Sequence, residues 1–428
     1  MAGRGPDDGP LGLGPRRPHD PGPGANIELS AADRALLAGE AGPGPAMAMK
    51  VVTETAMQMG ATRLLDIVSA HIDGCLYHGQ AGLDFARRLL AGGARTAVPA
   101  TLNVGALDLL HPHLYRGPEE IAAVSRELME TYEHLGCVPT WTCAPYQLTS
   151  RPGFGDQVAW AESNATVFVN SVLGARSNRY GDFIDISCAV TGRAPATGLH
   201  LDEGRQASIV IRITPGLPID EDWFYPILGC LVGEIAGASV TLLRGLPPGL
   251  GEDRLKALGA GAATTGSVAL LHVVDSTPEA LDHATLPIME SASTVEITSA
   301  DVARMRSILS NAAGSRAEAV SLGAPHYSAD ELETLVDLLA GRAVRLPTYV
   351  NTGRGVVRGR PDLESKLAES GVTVVTDTCT YLTPIIEPGV KVVATDSGKW
   401  AYYAPGNLGL GVIFAPVSEC VEMAVGNG

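Results

Sequence analysis

From Arg63 onward the chain repeats one alternation: a short apolar run, a dense polar turn, then an amphipathic stretch closed by glycine. "RLLDIVSAHIDG" reads as a strand entering a polar turn, and "GLDFARRLLAGG" as a helix with a glycine stop. "RTAVPATLNVG" is a second strand and turn, "PEEIAAVSRELMETYEHLG" a helix, and "CVPTWTCAPY" a third strand and turn. This βαβ rhythm constrains the chain to an α/β fold with mostly parallel sheets covered by helices. The same alternation resumes at "QASIVIRITPGL" and continues through "SVALLHVVDSTPEAL", "TVEITSADVARMRSIL" and "GVTVVTDTCTYL". From Lys391 it returns to a polar turn, "TDSGKWAYYAPGN", before a short strand and a terminal helix. The expected division is a motif-rich region of residues 27–205 together with 391–428, and a second α/β region of 206–390.

Ordered structure is expected to begin near Ile27, where Ser30 caps "AADRALLAGE". Residues 1–26 are about half Gly and Pro and have few large apolar groups, so they read as a disordered tail. That tail lacks the apolar core of a signal peptide, and no apolar run is long enough to span a bilayer. Phe224 to Leu243 comes nearest, but Pro226, glycines and Glu234 interrupt it, which predicts a buried helix and then a strand. A cytoplasmic location follows as the expectation. The net charge of −16 excludes nucleic acid and anionic membrane as partners, because both require a basic surface. A small anionic substrate needs only local Arg or Lys. Seven scattered cysteines do not form a disulfide framework and read as reduced thiols, most of them core residues.

Chemistry collects where strands end, as expected for open α/β sheets. Ser69-Ala70-His71-Ile72-Asp73-Gly74 places a His and an Asp two residues apart, suited to metal ligation or to acid/base work. Thr101 and Asn103 alternate toward one side of the next turn and can hydrogen-bond a substrate. The segment "WAESNATVFVNSVLGARSNRYGDF" crowds Glu162, Ser163, Asn164, Asn170, Ser171, Arg176, Asn178 and Arg179 into a stretch of small and apolar residues. Asn is a poor helix former and needs a reason to sit inside such a segment. If the segment is helical, Arg176 and Arg179 share a face and can clamp a carboxylate or phosphate. Downstream, "TGLH" contributes His200 and "TDSGKWAYY" contributes Lys399. Cys143 and Cys379 each follow a strand and precede a turn, and core cysteine is the ordinary reading of either.

"SLGAPHYSAD" joins an apolar run to a helix start, with Ser328 and Glu331 spaced as a capping box. Its turn offers His326 and, at Ala324, only a methyl group.

Taken in order, "SAHIDG", "TLNVG", "TCAPY", "ESNATVFVNSVLGARSNRYGDF", "TGRAPATGLH", "STPEA", "PHYSADEL", "DTC" and "DSGKWAYYAPG" resemble the aconitase X family, the iron–sulphur hydro-lyases distantly related to aconitase. The resemblance covers the chain from about Leu64 to its end. It implies an aconitase-like large region of three α/β lobes around a central cleft. It also implies a separate small swivelling subunit that closes over the cleft. The implied reaction is dehydration of a small hydroxy acid, with cis-3-hydroxy-L-proline, which yields a pyrroline carboxylate, as the first expectation. Mevalonate 5-phosphate dehydration and a non-catalytic partner subunit are the alternatives. On this resemblance Ser69, His71, Asp73, Glu162 and Lys399 are the expected catalytic residues, with His71 and Asp73 as an acid/base pair and Lys399 countering developing negative charge. Thr101, Asn103, Ser163, Asn164, Asn170, Ser171, Arg176, Asn178, Arg179 and His200 are the expected substrate contacts. The family holds its cluster with three cysteines. Two of those positions are Cys143 and Cys379, and the third is Ala324, which cannot ligate iron. Two thiolates with His326 or water can hold a different metal, so the resemblance leaves open another metal, none, and an altered elimination, isomerisation or cyclisation.

Overall fold

The computed structural model describes residues 27–426; the expected disordered tail, 1–26, lies outside the described residues. Three parallel sheets and one small antiparallel pair carry the strands. In the first sheet, Ser69–Ile72 lies between Ala100–Leu102 and Val158–Trp160. In the second, the order is Leu271–Val273, Thr241–Arg244, Ala207–Ile213, Ile288–Ile297. The third sheet runs Thr373–Val375, Thr348–Thr352, Ala319–Tyr327, Val392–Thr395, Gly411–Phe414. The α/β class with mostly parallel sheets is therefore as expected. The segment from Lys391, grouped by sequence with the first region, instead supplies two strands of the third sheet.

Local signals account for most element boundaries. Ser30 caps Ala31–Leu37 in a reciprocal box with Asp33, and Thr298 does the same for Ser299–Leu309 with Asp301. Phe224–Ala236 is a helix buried nearly all round, followed by the strand Thr241–Arg244. Its glycines allow the helix Glu252–Thr265 to approach within backbone contact, since a Cβ on Gly229 would lie 2.2 Å from the Leu258 carbonyl oxygen. Two expectations differ. "CVPTWTCAPY" forms no strand; Val138 makes a single bridge to Thr101, and the third strand of that sheet is Val158–Trp160. "TDSGKWAYYAPGN" is not a turn: Ser397 accepts from the Trp400 N–H and starts the helix Gly398–Leu408.

The strand Ala319–Tyr327 has an interruption in its pairing. It advances from Leu322 to Tyr327 while its neighbour advances only from Val350 to Thr352. The residues between, Gly323, Ala324, Pro325 and His326, bulge out opposite Asn351 alone. Gly323 adopts φ +85°, and a Cβ there would lie 2.2 Å from the Asn351 carbonyl oxygen. Only glycine fits both conditions. Gly323→Ala is expected to destabilise the protein by at least roughly 1–3 kcal/mol, the cost of backbone strain alone. Denaturant unfolding with an unchanged m-value checks this; a loss below the low end of that range would mean the bulge relaxes freely.

Candidate active site

The bulge brings its residues against two other turns. Cys143, His326 and Cys379 are all buried, and their ligand atoms lie within 4.8 Å of one another. Cys143 is held by its flanks: Asn164 Nδ2 donates to the Cys143 carbonyl at 3.1 Å, and the His326 N–H points at Cys143 Sγ at 3.3 Å. Cys379 follows Asp377, a left-handed residue (φ +63°) gripped by Arg354 through bonds of 2.6 and 2.5 Å. Asp108 pins the adjoining Thr376 through its N–H and hydroxyl. Burial pushes the Cys143 thiol up, but the Cys379 hydrogen bond and His326 outweigh this and bring it down to about 6. The same bond, added to burial, drives Cys379 well above the ordinary thiol range. Ala324 lies in the same packed cluster with its methyl buried, where the resemblance calls for a third sulphur.

The His326 ring is already engaged, with Nε2 donating to the Thr378 carbonyl at 3.0 Å and Nδ1 facing the Thr142 hydroxyl at 3.0 Å. These three side chains form a candidate site for a metal ion. They do not fit a cluster held by three thiolates, because the position of the third thiolate is a methyl.

A buried ion pair links the first and third sheets beside this triad. Lys399, in the first turn of its helix, donates to Glu162 Oε1 at 2.6 Å. Glu162 is the N-cap of the helix Ser163–Ser171: its Oε2 accepts the Ala165 N–H at 2.6 Å, and Oε1 also accepts the Ser163 hydroxyl at 3.0 Å. Burial opposes the charge on Glu162, but Lys399 and the capping amides overcome it, and the carboxyl stays below its ordinary range. Burial likewise opposes the Lys399 charge, and Glu162 more than restores it.

Asp73 lies in electrostatic reach of both. Asn103 Nδ2 donates to its Oδ1, and one edge of the side chain stays partly exposed. Burial raises its carboxyl to about 7, with Glu162 and Asp182 adding to the shift and Asn103 and Lys399 opposing it. His71 sits one strand turn away with Nδ1 on the Thr101 hydroxyl at 2.8 Å. Burial lowers it to about 4, so its ring is neutral at physiological pH, and its Nε2 has no partner. His71 and Asp73 do not hydrogen-bond each other; Asn103, not His71, orients Asp73. Ser69 opens the same strand and is half-buried.

The remaining expected contacts are distributed differently. Asn164, Asn170, Ser171 and Asn178 bind backbone groups: Asn170 spans Ser177 and Ala269, Ser171 accepts the Leu271 N–H, and Asn178 joins Leu199 to Thr197. His200 lies between Gln157 and the Tyr180 hydroxyl, and burial lowers it to about 3. The arginine clamp does not form. The helix ends at Ser171, so Arg176 and Arg179 do not share a face. Arg176 turns to Asp202 and the His200 carbonyl, while Arg179 is exposed and reaches carbonyls at the end of the helix Glu252–Thr265. Asp185, absent from the sequence expectations, accepts the N–H groups of Asp73 and Gly74.

A cavity of about 850 Å³ opens beside Ala324, Pro325 and Lys399. Among its charged lining residues carboxylates outnumber cations seven to three, and every cation there is already paired: Arg254 with Asp222, Lys256 with Asp253 and Glu331, Lys399 with Glu162. Ser328 and Glu331 form the expected capping box, and Glu331 also grips Lys256, tying the wall to the second sheet's helix. No described helix is long and apolar enough to cross a membrane.

Lys399→Met leaves Glu162 as a buried, unpaired anion, and is expected to cost about 3–5 kcal/mol of stability. The double variant Lys399→Met/Glu162→Leu should recover most of that loss in chemical denaturation. A double-variant loss equal to the sum of the Lys399→Met and Glu162→Leu losses would mean the two charges are not coupled.

Family models match the chain as the aconitase X first domain over residues 26–203, the second over 207–307 and the third over 317–426. A cis-3-hydroxy-L-proline dehydratase of Pseudomonas aeruginosa is 41% identical over 411 residues, spanning 94% of this chain and 70% of that protein. One from Hypocrea jecorina is 39% identical, spanning 94% and 69%. The phosphomevalonate dehydratase large subunit of Thermococcus kodakarensis is 32% identical, spanning 88% and 94%. The crystal structure of holo aconitase X from Thermococcus kodakaraensis aligns with a TM-score of 0.84 at 31% identity, covering 93% of this chain and 100% of that one.

Proposed function

Because the chain belongs to the aconitase X family, we propose that it is a hydro-lyase that removes water from a small hydroxy amino acid of the cis-3-hydroxy-L-proline type. The observation that carries this reading is the buried Lys399–Glu162 pair with Asp73 beside it, next to a cavity able to admit such a molecule. Elimination breaks the C–H bond next to the carboxylate and the C–O bond of the neighbouring hydroxyl, and the hydroxyl leaves as water after gaining a proton. A carboxyl titrating near neutrality can both hold and release a proton, and Asp73 is the proton carrier of the site. The Lys399 ammonium, kept charged by Glu162, counters the negative charge that builds on the substrate as the C–H bond breaks.

The cavity supports an amino acid over a phosphorylated substrate. A zwitterion has no net charge, whereas a phosphate would meet a carboxylate-rich wall with no unpaired cation. The donor set supports chemistry other than that of a three-cysteine cluster, and the Cys143–His326–Cys379 triad is read as a site for a single metal ion. Similarity to proteins named as large subunits supports a small partner chain that completes the site.

Incubation with cis-3-hydroxy-L-proline should give a pyrroline carboxylate, and mevalonate 5-phosphate should remain unchanged, as read by mass spectrometry with the partner chain present. Turnover of mevalonate 5-phosphate alone would overturn the substrate assignment. Asp73→Asn should lower kcat by about 10²-fold or more with folding intact; undiminished kcat would remove Asp73 from its role.

A further inference from the structure

We propose that Asp185 is a positioning residue for the dehydration: its carboxylate holds the Asp73–Gly74 turn and so fixes where Asp73 presents its proton. The proposal rests on the reading of Asp73 given above. Asp185 is fully buried at the start of the helix Ile184–Thr191. Its Oδ2 accepts the Asp73 N–H at 2.7 Å and the Gly74 N–H at 3.2 Å, and its Oδ1 accepts the Ile186 N–H at 2.6 Å. Among the described residues no basic side chain pairs with it. A buried carboxylate in that position is expensive, and three amide donors are what hold it.

The turn has little freedom apart from this anchor. A Cβ on Gly74 would lie 2.7 Å from the Tyr132 hydroxyl, so Tyr132 closes one side. Asn103 holds the Asp73 side chain from the next strand. Asp185 holds its backbone. Together they set the carboxyl relative to Glu162 and Lys399, and a displacement of order 1 Å at such a group costs about 10²-fold in rate.

The charge of Asp185 has a second consequence. Burial raises its carboxyl to about 7, with its Asp73 amide bond opposing and Asp182 and Asp73 adding to the shift. The two carboxyls belong to residues in contact, and like charges that close disfavour each other. The groups facing them are Glu162 at the N-cap of the helix Ser163–Ser171, Lys399 on the helix Gly398–Leu408, Asp182 in the loop before Asp185, and Cys75, Cys137, Cys188 and Tyr132, which burial keeps neutral. Removing the charge at 185 makes Asp73 easier to ionise, so a kinetic limb set by Asp73 moves to lower pH whether Asp73 acts as acid or base.

The test uses two variants of the full chain with its partner. Asp185→Ala removes the anchor and should lower kcat by about 10²-fold with little change in KM. Asp185→Asn keeps an oxygen for the Asp73 and Gly74 amides; it should retain most of kcat while its pH limb moves down. Asp185→Ala with wild-type kcat, or Asp185→Asn with an unmoved limb, overturns the proposal; if Asp185→Ala does not fold, the limb of Asp185→Asn decides. Infrared titration of carboxyl-labelled aspartates in the chain alone reads the coupling without turnover. Three raised aspartates, Asp73, Asp185 and Asp396, should titrate near neutrality in the wild type, and Asp185→Asn should leave two, with Asp73 moved to lower pH. An unperturbed Asp73 band in that variant counts against the proposal even if the dehydratase reading holds.

Discussion

The buried contact between Lys399 and Glu162, 237 residues apart, is the constraint on which the rest of the site depends. Each partner sits at the start of a helix: Glu162 caps one that follows a strand of the first sheet, and Lys399 opens one that follows a strand of the third. Neither charge is tolerable there alone, so the pair fixes how the two sheets face each other. Around it the two cysteine turns and the bulge at Gly323 converge. Ser321, Asn351, Thr380 and Trp400 supply the hydrogen bonds that hold the bulge and the Cys379 turn together.

The bulge shows how a ligand position can change while its scaffold persists. Gly323 still takes the left-handed conformation against the Asn351 backbone, and Ser397 still donates to the Ala324 carbonyl. Gln147 still braces the His326 carbonyl. The side chain at 324 is a methyl packed among apolar neighbours. A methyl at 324 therefore leaves the turn folded while offering no donor to a metal.

Much of this is legible in the sequence, for identifiable reasons. The caps at Ser30 and Ser328 are local, so those helix starts can be read directly. Cys143 and Cys379 are brought together by motifs that, in order, resemble a family pattern. The Asn-rich segment stands out by composition, and Asn170 and Asn178 in it bind backbone groups that hold the fold. Composition shows that Asn170 and Asn178 need partners, not that the partners are backbone carbonyls. The arginine clamp fails because its spacing argument assumes a helix that in fact stops at Ser171. Asp185 is not visible in the sequence, since what it binds are amides more than a hundred residues earlier.

The proposed dehydration depends on Asp73 and the Lys399–Glu162 pair at a site whose donors do not form a three-thiolate cluster. The most direct measurement is turnover of cis-3-hydroxy-L-proline by anaerobically purified protein, with iron and acid-labile sulphide determined on the same sample before and after chelation. The account predicts turnover by protein that carries no acid-labile sulphide and at most one metal ion per chain. A multi-iron cluster whose removal abolishes turnover would contradict it.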